Sequence, residues 1–558
     1  MEAKFSSIIE ELENIFKNCI IGFKEIGGGL LTEVKAECLP EVASYVFNNL
    51  RMYYSTSSGS DERSIDGKFA VYHVFSADGI GFFVLKASVP ATKPCIPSIT
   101  SKVPGANWAE REAMDMFGIT FINHPEPKRL VLPDDWPKNL HPLRKDFEYS
   151  YRPSSSSEPT ISTSIDIYVG GTEYASTLPL GPYHPALHEP EYFELLIKGE
   201  EVIDVKYRGF HVHRGIEKIG ESKLTYNQVP FIAERICGIC GFAHSSSYCI
   251  AIERALKIDV PERAQYIRSL ILEIERIHSH LLWVGVACHL LGFETGFMQS
   301  WRIREHVMEL AELLTGSRKT YGINIPGGVR RDILEPYIDR AKKVIKLVED
   351  EFKVLRDKLL VPEVKVRLKE IGYLPKEDAR KLAVLGPTMR GSGIARDVRK
   401  DQPYCAYRDL DFRIAVYDEG DNLSRTLVRI DEILESINIV KQILDNLPSG
   451  PIRTEFEPKP YRIGVGAAEA PRGEVFHLLI TGERNRLYRW RVRAPTYNNI
   501  PALKIMLRGV PLADAPITIA SIDPCFSCTD RCILIKDLDH NYVKRTSLLS
   551  FRKFIKGD

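Results

Sequence analysis

Two short segments set four cysteines at matching intervals: Cys237 and Cys240 in ERICGICGFAH, residues 234–244, and Cys525 and Cys528 in DPCFSCTDR, residues 523–531. Four soft sulfur donors select zinc, iron or another thiophilic metal over magnesium or calcium. Zinc ribbons typically separate their two pairs by about 15 to 20 residues, whereas about 285 positions separate Cys240 from Cys525. Spacing alone still leaves a structural zinc site or a simple iron centre open. The neighbouring residues point elsewhere. Arg214-Gly215-Ile216-Glu217 precedes the first pair, His244 follows it, and Ala470-Pro471-Arg472-Gly473 lies upstream of the second. A closed structural site has no use for such ionisable company, while a reactive metal needs a proton carrier and a fixed positive charge nearby.

Elements must bring these segments together across 558 residues, a length that predicts two domains. Phe5, Ile8, Ile9, Leu12, Ile15 and Phe16 recur at helical spacing, and KFAVYHVF and GIGFFVLKASV read as strands, so residues 1–150 are expected to form a small α/β domain. YRPSSSSEPTISTS has little to bury and marks a linker at 151–164. Beyond it, Ile338, Ala341, Ile345, Val348, Phe352 and Leu355 trace one apolar stripe, and Leu427, Ile430, Ile433, Leu434, Ile437, Val440 and Leu444 trace another. A third helix is expected to start at Pro261. The class is therefore α+β, with a large, mainly helical bundle domain over residues 165–531. Gly27-Gly28-Gly29 lacks the strand and helix context of a dinucleotide loop.

Composition excludes other classes. Lys+Arg 75 against Asp+Glu 74 gives no polyanion-binding excess, so nucleic acid is not an expected partner. RNRLYRWRVR alternates arginines as some RNA binders do, and is read as a solvated or subunit-facing strand. No window is apolar enough for a membrane span, and the acidic start is unlike a signal peptide, which predicts a cytoplasmic chain. In a reducing compartment the other cysteines, including Cys249, Cys288 and Cys405, are expected to be buried thiols.

Taken together, RGIE, RICGIC with its histidine, APRG and DPCFSC resemble the large subunit of a nickel–iron hydrogenase, over residues 181–531. The resemblance implies that Cys237, Cys240, Cys525 and Cys528 hold nickel. Cys240 and Cys528 would also bridge to an iron bearing CO and cyanide, the Ni-Fe(CN)2(CO) centre. It implies a relay glutamate nearly fifty positions before the first nickel cysteine; Glu189, in GPYHPALHEPEYF, stands 48 before Cys237 and is chosen over Glu191. A buried carboxylate suits that task because burial raises its pKa toward neutrality. Arg472, next to Pro471, would lie over the open nickel position as a cation that never titrates. Asp523, expected to be extended before Pro524, would be its partner. His244 would hydrogen-bond a cysteine sulfur rather than the metal. Glu217 corresponds to a magnesium-type site completed in the family by a C-terminal histidine. Arg531 stands there instead, which speaks against magnesium and for a salt bridge from Glu217 to Arg531 or another cation.

The ends narrow the branch. Residues 532–558 resemble a maturation extension cut after Arg531 by an endopeptidase once nickel is inserted. WAEREAMDMFGITFINHPEPKRLVLPDDW and HPLRKDF resemble the 30-kilodalton subunit of respiratory complex I, and GPTMRGSGIARDVRKDQPY and HRGIEK its 49-kilodalton subunit. Fusion of the two resembles hydrogenases 3 and 4, the formate hydrogenlyase type. That implies H2 evolution from protons within a membrane-associated complex on the inner face of the cell membrane. The implied partners are a small subunit with a proximal [4Fe-4S] cluster, a ferredoxin-like iron–sulfur subunit and membrane subunits resembling those of complex I. A quinone or sulfur reductase module and a zinc-holding scaffold are the rival readings.

Overall fold

The computed structural model describes residues 2–133, 136–148, 150–151, 175–181, 189–210 and 213–529, with the backbone of two short strands at 533–537 and 542–546. Apart from Tyr151, the expected linker lies outside the described residues, as does Arg531. The N-terminal unit runs α1 (Glu2–Phe16), β1 (Ile20–Ile26), β2 (Gly29–Val34), α2 (Leu39–Asn48), β3 (Tyr53–Glu62), β4 (Lys68–Ala77), β5 (Gly81–Pro90) and α3 (Asn107–Phe117). Its strands form one sheet in the order β1-β2-β5-β4-β3, antiparallel except for the β2–β5 pair.

Both faces of that sheet are covered. Phe69, Val71, Phe75, Phe83 and Leu85 share a core with Phe5 and Leu12 of α1 and Val42 and Val46 of α2. Ala70, Tyr72, Val74, Phe82 and Val84, one position out of step, belong to the core of the large domain. Successive strand side chains point to opposite faces, so one sheet serves two cores. The triple glycine stands at this junction. Gly27 pairs with the strand at Gly464 through Gly27 N to Ile463 O, 3.0 Å, and Val465 N to Gly27 O, 2.8 Å. A Cβ on Gly27 would come within 2.5 Å of Ala255 N, so only glycine permits the approach.

The large domain begins with β6 (Ser176–Leu180), β7 (Tyr192–Lys198) and β8 (Glu201–Arg208), then α4 (Ile216–Ser222), α5 (Gly241–Leu256), α6 (Glu262–Leu290), α7 (Glu294–Thr315), α8 (Glu335–Leu359) and α9 (Asn422–Asp445). A three-stranded sheet, β9 (Ile463–Ala470), β10 (Gly473–Thr481) and β11 (Leu487–Arg493), packs on α5, and α10 (Ala515–Ser521) and α11 (Phe526–Thr529) follow. Helices α6 to α9 form the bundle, α6 and α8 each packing on α7 and α9. Of the expected stripe on α8, Ala341, Ile345, Val348, Phe352 and Leu355 are buried and Ile338 is half-buried; Leu359 extends it. Pro261 precedes α6 with extended backbone rather than opening it. Asp421 caps α9 by accepting from Ser424 N at 2.7 Å. Past the second cysteine pair, β12 (Ile533–Asp537) and β13 (Tyr542–Thr546) pair antiparallel.

Two expectations fail here. Cys19 and Cys38 are joined in a disulfide, not held as thiols; Cys249 and Cys288 are buried thiols as expected, and Cys405 is half-buried. The arginines of β11 do share one side, yet they are neither solvated nor free for a subunit. Arg489, Arg491 and Arg493 are all buried against β3: Arg489 Nε donates to Gly59 O at 2.8 Å and Arg493 Nε to Ser55 O at 3.1 Å. Carboxylates from elsewhere in the chain answer them, Glu217 and Glu221 for Arg489, Glu112 for Arg491 at 2.6 Å, and Glu474 for Arg493. A buried charge is tolerable only when paired, and the strand's own sequence carries no sign of partners this remote. Removing one partner of a buried pair costs about 3–5 kcal/mol. Arg491→Met should accordingly lower the thermal unfolding midpoint, and adding Glu112→Gln should recover much of the loss; equal midpoints for single and double variants would contradict the pairing.

Candidate metal centre

Cys237 and Cys240 sit in the turn that enters α5, with Cys240 at its N-cap. The N–H groups of Ile239 and Cys240 point at Cys237 Sγ, at 3.2 and 3.0 Å. Gly241 must follow, because a Cβ there would lie 2.3 Å from Glu234 O. On the other side, Cys525 N donates to Thr496 Oγ1 at 3.1 Å, and Cys528 lies in the short α11. Trp283 of α6 ties α10 in place through Nε1 to Ala520 O, 2.7 Å. Arg214 then staples the two halves, donating to Arg235 O at 2.6 Å, Ile236 O at 2.7 Å and Ser527 O at 2.5 Å.

The four sulfurs converge as a result. Sγ of Cys237 lies 3.4 Å from Cys525 and 3.1 Å from Cys240, and Cys525 lies 2.8 Å from Cys528. Sulfurs bound to one metal at about 2.3 Å stand roughly 3–4 Å apart, so the set fits a thiophilic ion. All four are buried. Burial opposes ionisation of Cys237, but hydrogen bonds from Cys240, Cys525 and Cys528, helped by the charge of Arg472, outweigh it and hold its pKa well below the usual thiol value. Cys240 and Cys525 are pushed well up, chiefly by their hydrogen bonds to Cys237, and Cys528 by burial. The positive charge of a bound metal would favour deprotonation of the other three.

The residues singled out around the cysteines divide into those brought to them and those turned elsewhere. Glu189, half-buried, caps α11: Oε2 accepts from Phe526 N and from Ser527 N, the latter at 2.9 Å, and Oε1 accepts from the Ser527 hydroxyl. Ser527 Oγ is also 3.7 Å from Cys525 Sγ. Pro471 and Arg472 form the buried turn between β9 and β10. Arg472 Nη2 meets Asp523 Oδ1 at 2.7 Å, Nε meets Asp523 O at 2.7 Å, and Nη1 donates to Ser279 Oγ at 3.2 Å. Burial works against its charge, while Asp523 and then the cysteines outweigh burial and keep it protonated.

Three expectations need correction or completion. Asp523 is not extended: its φ is +52°, a left-handed turn that aspartate tolerates, closed by Asp523 N to Ala520 O at 2.8 Å. Among the described residues His244 makes no hydrogen bond to a sulfur; Nδ1 faces His477 Nε2 at 3.2 Å. Glu217 is taken up by Arg489 at 2.8 Å, Val492 N at 3.0 Å and Arg491 at 3.6 Å. A carboxylate so saturated does not fit a magnesium ion, and the only sets of three or more metal-binding side chains among the described residues are the cysteines with His244. The other expected partner of Glu217, Arg531, is outside the described residues.

Sequence reasoning missed Ser279, Lys319, Ser527, His477 and Trp490. Lys319 is a second cation near Cys237 and Cys240, half-buried, its Nζ bonded to Ile239 O and 2.9 Å from His278 Nε2. Glu275 of α6 accepts from Phe242 N and Ala243 N at 2.9 and 3.0 Å, and burial pushes its pKa up to about 7. Nothing local marks any of these; Glu275 lies mid-helix and caps a different helix more than thirty positions earlier.

Comparison with known proteins agrees with this chemistry. Residues 214–289 match the family model of nickel-dependent hydrogenase, residues 291–462 and 456–531 that of the 49 Kd subunit of respiratory-chain NADH dehydrogenase, and residues 32–153 that of its 30 Kd subunit. The chain belongs to the complex I-like family of nickel–iron hydrogenase large subunits, with the 30 and 49 Kd units fused. It is 45% identical over 511 residues to formate hydrogenlyase subunit 5 of Escherichia coli (strain K12), covering 91% of this chain and 90% of that one. It is 44% identical over 508 residues to hydrogenase-4 component G of the same strain, covering 90% and 88%. Among solved structures, a chain of the membrane-bound sulfane sulfur reductase, an archaeal respiratory membrane complex, superposes with TM-score 0.61 and 32% identity, covering 64% of this chain and 99% of that one.

Proposed function

We propose that this chain is the catalytic subunit of a multi-subunit [NiFe] hydrogenase that interconverts protons, electrons and H2, working toward H2 evolution. Cys237, Cys240, Cys525 and Cys528 would hold the nickel–iron centre with its CO and cyanide, Cys240 and Cys528 on the side that would face iron. When bound, that centre supplies the exchange of an electron pair with hydrogen. The chain's own residues manage the proton and the charge. Oε2 of Glu189 is occupied by two backbone N–H groups, so Oε1 is the oxygen that exchanges a proton. The Ser527 hydroxyl stands between it and Cys525 Sγ. A proton leaving the sulfur enters Oγ as the hydroxyl's own proton passes to Oε1, and the reverse path reloads the sulfur. Arg472, pinned by Asp523 and Ser279, supplies a positive charge that does not titrate. This contact of Glu189 with the segment holding Cys525 carries the reading.

The described residues hold no second cysteine set for a cluster, and no helix among them is long and apolar enough to cross a membrane. Electrons therefore come from partners: a small subunit with a proximal [4Fe-4S] cluster and a ferredoxin-like subunit, docked on membrane subunits resembling those of complex I at the cytoplasmic face. The similarity to a sulfane sulfur reductase chain favours a reductase module as the second reading. Purified complex assayed with reduced viologen separates them. Nickel and iron bound together with H2 evolution support the first; a nickel-free complex that reduces sulfur or quinone overturns it.

Maturation belongs to the same reading. Residues 532–558 are removed after Arg531 by an endopeptidase once nickel is in place. Intact-mass measurement should find the chain ending at Arg531 in nickel-loaded protein and at Asp558 in nickel-starved cells, and a full-length active chain would refute the cleavage.

A further inference from the structure

Trp490 lies on β11 one step out of phase with the arginines, so its ring leaves the N-terminal sheet and packs on Tyr248 of α5, His477 of β10 and Gly220 of α4. An indole N–H can only donate. Trp490 Nε1 is 3.2 Å from His477 Nδ1, which must accept and therefore carries no proton. The proton of His477 is then on Nε2, 3.2 Å from His244 Nδ1. That nitrogen accepts in turn, which leaves the proton of His244 on Nε2. All three residues are fully buried, so no bulk water competes. His244 Nε2 has no hydrogen-bond partner among the described residues, and a ring nitrogen of His244 lies within 4.8 Å of the sulfurs of Cys240 and Cys528.

We infer that Trp490 and His477 are positioning residues that lock the tautomer of His244, so that His244 presents an Nε2–H donor to the Cys240–Cys528 side of the centre and cannot become a metal ligand. A protonated ring nitrogen has no lone pair to give, and the other nitrogen is engaged by His477. Without the lock, Cys240, Cys528 and His244 make the mixed cysteine–histidine set that zinc accepts readily. The positive end of the Nε2–H dipole also lies near the sulfurs of Cys240 and Cys528 and would temper their negative charge, as outer partners of metal ligands do.

This inference rests on the nickel–iron reading for its consequence but not for its geometry, and the test separates the two. In the whole complex, His477→Leu and Trp490→Phe should move the infrared CO band to lower wavenumber, because sulfurs that no longer face the positive end of the Nε2–H dipole donate more charge to iron. Both should reduce turnover per nickel about tenfold and raise zinc content. His477→Gln, whose amide can accept from Trp490 and donate to His244, should restore the band position. A nickel-loaded His477→Leu with an unmoved band overturns the inference, as does a Gln variant displaced as far as Leu. Nitrogen-15 NMR of the full chain labelled in histidine needs neither metal nor variant: a proton on Nε2 of His477 supports the lock, and one on Nδ1 defeats it. A wild-type complex with no CO band sinks the nickel–iron reading and leaves the NMR result to decide the lock alone.

Discussion

Glu189→Gln yields a chain that loads nickel and iron normally and all but ceases to evolve H2. The substitution keeps shape: the amide oxygen can still accept from Phe526 N and Ser527 N, so the cap on α11 and the positions of Cys525 and Cys528 survive. What it removes is an atom that can take and return a proton opposite the Ser527 hydroxyl. Positioned proton transfer is worth about 10²- to 10⁴-fold, and a loss in that range is expected in viologen-linked H2 evolution with metal content unchanged. Ser527→Ala should fall short of it, since water can replace a lost hydroxyl more readily than a lost carboxylate. H2 evolution at the wild-type rate in the Gln variant would remove Glu189 from the proton route.

The second large effect is on assembly. Cys528→Ala should abolish nickel and iron binding, and the chain should accumulate with residues 532–558 attached. Cys528 is in the group within 4.8 Å that includes Cys237 and Cys525, and in the one that includes Cys240 and His244, so its removal breaks both. The pocket itself should persist, because Arg214 and Trp283 hold its walls by bonds to backbone carbonyls that the substitution leaves alone. Metal analysis and intact mass of the purified variant check both halves; nickel retained at wild-type stoichiometry would mean that these four sulfurs are not the binding site.

Several features were readable because their signal is local. The stripes on α8 and α9 repeat every three to four residues, and a helix follows wherever that period is kept. Strands β4 and β5 were visible as β-rich runs, but not that their alternate faces would serve two cores, since both faces are apolar. The arginines of β11 show the limit most clearly. Their alternation was legible, yet their burial depends on Glu112, Glu217, Glu221 and Glu474, which come from three other elements of the chain. Asp523 is a similar case: the proline after it argued for extension, and the closing bond to Ala520 turned it left-handed instead.

The sequence by itself determined the chemistry available: four thiols in two pairs, a basic turn at Arg472, an acid 48 positions before Cys237, and the helical periods that frame them. Ligand type and periodicity are properties of neighbours along the chain, so they are written there. Only the tertiary structure decided which oxygen of Glu189 meets Ser527, which guanidinium occupies Glu217, and which nitrogen of His244 carries its proton. Those outcomes depend on donors and acceptors from segments hundreds of positions apart, whose distance and orientation arise only when the two sheets and the bundle close around a shared core.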